Sequence, residues 1–172
     1  QVYFYDLSRF LNLGIENPLV NRYFLHTTSN AFVLIEGILF TLFFQQTGYL
    51  SRRPWLAYAV IGALLLFWLI EGLYFDIWFD VLLRYRVFYS FVLTLLGIHA
   101  MNFEIVHYKG NLLKNASFLI CVSVVFYFTY NVVLESFYIA GLKTPSFDLK
   151  RLVRILTAMI FTFSLLWMPR KI

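Results

Sequence analysis

Glu36, Glu71 and Glu135 stand inside long apolar runs, and any chemistry in this chain has to be sought around them. A charged side chain at the centre of a membrane helix costs roughly 2.5–3.5 kcal/mol on insertion scales, so an acid there implies a cavity, a partner or neutralisation. His26, Ser29, Asn30, Val33, Glu36 and Gly37 recur at i, i+3 and i+4, which puts them on one stripe of a helix. Asn131 and Glu135 are four apart and share a face, Arg84 and Arg86 open the preceding apolar run, and Arg154 lies one turn into the last one. The spacing predicts an intramembrane polar cluster of Asn30, Glu36, Glu71, Arg84, Asn131, Glu135 and Arg154. Such a set can lock helices in register through hydrogen bonds and ion pairs, or it can line a ligand cavity or proton path.

Other chemistries lack their residues. His26 falls near one face of the membrane and His99 near the other, so the two do not make an axial pair for haem, and the lone Cys121 rules out an internal disulfide and a Cys-rich metal site. No metal and no cofactor is expected. The serines carry no Gly-flanked elbow, and no phosphate-cradling Gly-rich loop or His-Glu zinc pattern occurs, so no residue is assigned a catalytic role. A lipid-modifying enzyme using His26 or His107 for proton transfer is the weakest of the readings considered. His99 and Asn102 are expected to bond between helices, and Glu104 and His107 to reach interfacial water. Asn115, Ala116 and Ser117 match a glycosylation sequon on the side assigned below to the cytoplasm, so the match is read as accidental.

The elements that must carry these groups follow from composition. Of 172 residues 61% are hydrophobic and 13% charged, with 21% aromatic, far from the balance of a soluble domain. The net charge of +5 comes from Lys and Arg concentrated in short connections, which anchors helix ends to headgroups and leaves no basic face for nucleic acid. Crossing a ~30 Å hydrocarbon core takes about 20 apolar residues. Runs over 23–44, 55–75, 81–103, 116–140 and 152–168 meet or approach that length, so the expected fold is all-α, a polytopic transmembrane bundle of about five spans forming one domain over 1–172. Residues 1–22 are expected to form an interfacial helix or the tail of a span that begins before Gln1. Short connections, including the acidic turn Asp76 to Asp80, make neighbours antiparallel.

Arg52, Arg53, Lys109, Lys114, Arg170 and Lys171 collect on one side with almost no acid among them, which assigns that side and the C-terminus to the cytoplasm. Two runs echo each other, FVLIEGILF over 32–40 and FWLIEGLYF over 67–75; in antiparallel neighbours this raises an inverted repeat of the transporter kind, although so short a match in Leu-rich sequence arises easily by chance.

In Asn21 to Glu36 (NRYFLHTTSNAFVLIE), in Asn111 and Leu112 leading into FLICVSVVFYFTY, and in the closing FSLLWMPRKI, the chain resembles short polytopic bacterial membrane proteins of unassigned function. It is similar in layout to seven-helix sensory membrane domains. That resemblance implies an inner-membrane protein with one or two helices before Gln1. The functional expectation is a non-catalytic accessory or scaffold subunit of a membrane complex, in contact with lipid and with other integral membrane subunits. The alternative is a small-ligand sensor or transporter with an intramembrane polar cavity.

Overall fold

The computed structural model describes residues 18–50, 54–75, 81–108, 110–142 and 147–166, and every regular element among them is helical. The helices are α1 (Pro18–Gln46), α2 (Pro54–Phe75), α3 (Leu83–His107), a 3-10 turn (Leu112–Lys114), α4 (Ala116–Ile139) and α5 (Phe147–Leu166). The expected interfacial segment falls mostly in residues 1–17, and the acidic turn in 76–80, both outside the described residues.

Local chemistry sets the helix ends. α1 and α2 both start on proline, whose fixed φ and missing N–H suit the first helical position. α1 thus starts five residues before the apolar run predicted from 23, and its apolar part, His26–Gln46, is the portion suited to the hydrocarbon core. Gly48 ends α1 with φ 90°. Gly141 ends α4 with φ 67°, and Leu142 N–H reaches the Phe137 carbonyl at 3.0 Å while Gly141 N–H reaches that of Tyr138 at 3.2 Å. These two bonds form the Schellman closure, a left-handed glycine that satisfies otherwise orphaned carbonyls.

α1 to α4 are long and apolar enough to cross a membrane. α5 covers the region of the predicted fifth span, but Asp148, Lys150, Arg151 and Arg154 crowd its first half, and it is not among the helices apolar enough by that measure. The packing centre is α3, which lies along α4 and also touches α1 and α2, while α5 packs on α4. Val33, Phe44, Leu64, Tyr85, Tyr89, Leu93, Cys121, Val124 and Phe128 form its core. Outside, Phe32, Leu39, Leu66, Leu73, Phe91, Met159 and many other large apolar side chains are exposed. An apolar exterior on helices of this length is stable only against acyl chains, so the chain is an integral membrane protein with an all-α bundle.

Glycine sets how closely the helices approach. A Cβ on Gly97 of α3 would come within 2.8 Å of Val125 Cγ2 on α4, and one on Gly37 of α1 would meet Leu64 Cδ1 on α2 at 3.3 Å. At Gly97 the approach leaves no room for a Cβ unless Val125 shifts, and at Gly37 Leu64 would have to give by a few tenths of an ångström, a closeness that small residues allow in membranes.

Candidate functional site

The seven polar residues singled out from the sequence fall into separate groups. The first gathers at the start of α3. Leu82 provides no capping side chain, so the first amides of α3 would be orphaned in an apolar setting. Glu71 of α2 replaces the cap: Arg84 N–H donates to Glu71 Oε1 at 3.0 Å, and Tyr85 N–H donates to Glu71 Oε2. Asn30 of α1 adds a third bond, its Oδ1 accepting from Leu82 N–H at 3.3 Å, while its own carbonyl accepts from Trp68 Nε1 at 3.2 Å. Glu71 and Asn30 are both buried. A carboxylate at a helix N-terminus also meets the positive end of the macrodipole, so Glu71 has a structural reason to sit in the membrane. Arg84 contributes its backbone here, and its side chain is exposed.

The second group joins three helices around Arg86. Its Nη2 donates to Ser29 Oγ of α1 at 2.5 Å, and its Nη1 lies 4.0 Å from Glu135 Oε1 of α4. Asn131 is half-buried on α4, one turn before Glu135.

Glu36 and Arg154 belong to the third. Tyr89 Oη donates to Glu36 Oε2 at 3.2 Å, and Tyr89 stacks on Tyr85 with ring centroids 5.8 Å apart. Because α5 packs on α4 and not along α1, a cleft of about 260 Å³ remains between these three helices. Its walls are Glu36 and Phe40 from α1, Ser123, Val124, Tyr127 and Phe128 from α4, and Arg154, Thr157, Ala158 and Phe161 from α5. Ser123 and Thr157 turn their hydroxyls back onto the carbonyls of Ile120 and Val153, so they add little polarity to the cleft. Glu36 and Arg154 are its charged members.

A fourth group, at the opposite end of the bundle, was not expected. Glu104 of α3 accepts from Tyr49 Oη at 2.7 Å and from Asn115 Nδ2 at 2.6 Å. Asn115 Oδ1 meanwhile caps α4 through Ser117 N–H at 2.9 Å and Phe118 N–H at 3.3 Å. Both ends of the Asn115 amide are thus engaged. Glu104, expected at interfacial water, instead ties the turn after α1 to the junction of α3 and α4. Burial, followed by the bond to Glu104, pushes the Tyr49 phenol above its ordinary value.

The structure gives the two Glu-Gly echoes different roles: Glu36 faces α3 and the cleft, whereas Glu71 caps α3. Sequence reading named Glu36 and Arg154 but missed Tyr89 and Tyr127, because twelve tyrosines in a chain rich in aromatics leave no spacing signal that separates a bonding phenol from a packing one. It also mentioned Arg86 only beside Arg84, and here the signal existed: Arg86 and Tyr89 are three apart on α3, the spacing of a single face. Among the described residues no group of three or more His, Cys, Asp and Glu could hold a metal ion. No protein-family model matches the chain, and neither does any curated protein or solved structure.

Proposed function

We propose that the chain is a non-catalytic subunit of an assembly in a bacterial inner membrane, an accessory or scaffold component whose partner helix seats on α2. The observation that carries this is Gly62. A Cβ on Gly37 or Gly97 would press on neighbours within the chain, but one on Gly62 would meet nothing within 4 Å. Gly62 lies beside exposed Ala59 and Ala63, while α2 turns Ala57, Leu64 and Glu71 inward along a single seam. Small residues on an open face let a second helix backbone approach closely, where packing and not the hydrophobic effect drives association. The intramembrane polar groups support the same reading, since Asn30, Glu71, Arg86 and Glu135 are already joined to other helices of the chain. Purification from native membrane in mild detergent tests it. A companion membrane protein should travel with the wild type and with Gly62→Ala and be lost from Gly62→Leu. A wild type recovered alone, or a Gly62→Leu variant that keeps its companion, overturns the proposal.

The cleft beside Glu36 favours a second reading, a small-ligand sensor or transporter. Under it, Glu36→Gln with Glu135→Gln leaves assembly intact and abolishes uptake or signalling; unchanged activity removes it.

A further inference from the structure

We infer that the cleft between α1, α4 and α5 binds a neutral single-chain amphiphile whose hydroxyl head sits between Glu36 and Arg154. Shape supports one chain and no more. At about 260 Å³ the space falls below the usual range for drug-sized ligands. From Arg154 to Phe161 the α5 wall runs roughly 10 Å along the helix axis. Phe40, Val124, Phe128, Ala158 and Phe161 give it an apolar surface.

Charge decides the head. Among the described residues Arg154 shares the wall of the cleft with Glu36, and Arg86 is the other cation near it. Arg86 already faces Glu135 at 4.0 Å, so those two offset each other and the balance left across the cleft is one acid against one base. Arg154 makes no hydrogen bond or ion pair with any described residue, and Glu36 receives one bond, from Tyr89. A ligand bearing net charge would leave that charge uncompensated in a medium of low dielectric, which is strongly unfavourable. A hydroxyl adds no charge and serves both walls: its oxygen accepts from the Arg154 guanidinium while its proton goes to the Glu36 carboxylate. Both side chains leave their helices tilted toward the N-terminal ends. α1 and α5 run in the same direction, so both groups lean toward the same end of the bundle.

The test uses three probes with the same chain, dodecanol, dodecanoate and dodecylammonium, and native mass spectrometry of the full chain released from detergent. Wild type should retain dodecanol about tenfold or more over either ion. Each charge-removing substitution should then shift selectivity in its own direction: Glu36→Gln leaves Arg154 unopposed and should favour dodecanoate, whereas Arg154→Gln should favour dodecylammonium. Ala158→Trp fills the cleft from an exposed position and should abolish retention of all three while thermal unfolding stays unchanged. Preference of the wild type for an ion, absence of retention, failure of the two variants to diverge, or undiminished binding by Ala158→Trp overturns the inference. None of these results depends on a companion protein, so the assembly proposal stands or falls separately.

Discussion

Glu71 shows how a single buried carboxylate can be held among apolar helices by backbone amides. It accepts from two consecutive amides at the start of α3, work that a residue at position 82 would do if it were Ser or Asp. Glu71→Ala should therefore lower stability by about 1–3 kcal/mol, the cost of a lost cap with orphaned buried amides. Glu71→Gln should lose about half as much, because an amide offers one acceptor oxygen where the carboxylate offered two. Unfolding in mixed micelles measures both, and equal stability of wild type and Glu71→Ala would remove the capping role. Tyr49 makes the corresponding case at the other end of the bundle. Its folded-state phenol loses its proton at higher pH than the unfolded one, so the stability it adds is complete below about pH 10 and declines as pH rises beyond that. Tyr49→Phe should be less stable than wild type by about 1–2 kcal/mol near pH 8. The gap should narrow toward pH 11, and a constant gap would contradict the assigned bond. Sequence alone implied that Glu71, standing in an apolar run, needed a partner, whereas Glu104 was expected at interfacial water. It did not show the partners of either, because the partner of Glu71 is a pair of backbone amides and the partners of Glu104 come from two separate connections.

At the scale of helices, hydrophobic length made the architecture readable, and in the structure Pro54, Gly48 and Gly141 stand at helix ends. The fifth helix was harder to judge from sequence, as Asp148 to Arg154 dilutes the apolar run that follows. Glycine function was unreadable without coordinates, because Gly37, Gly62 and Gly97 all sit in similar apolar runs and only their surroundings differ. Those surroundings separate the three by experiment. Gly97→Leu should force α3 away from α4 at Val125 and destabilise the fold by about 1–3 kcal/mol or more through overpacking. Gly62→Ala meets open space and should be neutral, or stabilising by up to about 1 kcal/mol through helix propensity. Equal stability of Gly97→Leu and wild type would mean that α3 and α4 are not in the close contact described, while a destabilised Gly62→Ala would mean that α2's outer face is already covered within the chain.

For the whole molecule, charge asymmetry sets the direction in which the bundle is threaded. The bonds from Tyr49 and Asn115 to Glu104 place the turn after α1 and the segment between α3 and α4 at one end. In sequence the connections at that end carry Arg52, Arg53, Lys109 and Lys114 without an acid, whereas the other end holds Asp76 and Asp80, with Lys143, before Asp148, Lys150 and Arg151 in the first turns of α5. Total Lys and Arg differ little between the two ends, and the bias lies in the short connections closest to the helices, where retention of positive charge acts. The basic end should therefore face the cytoplasm. Cysteine labelling with a membrane-impermeant reagent reads this directly, because the native Cys121 is buried and gives little background. Leu113 at the basic end and Leu142 at the other are both exposed, at 67% and 56%. Leu142→Cys should react on intact cells, and Leu113→Cys only after the membrane is opened. The reverse pattern would invert the orientation and leave the bundle intact. Reaction of both from the same side would break the antiparallel α4 crossing between them, and with it the membrane-spanning fold.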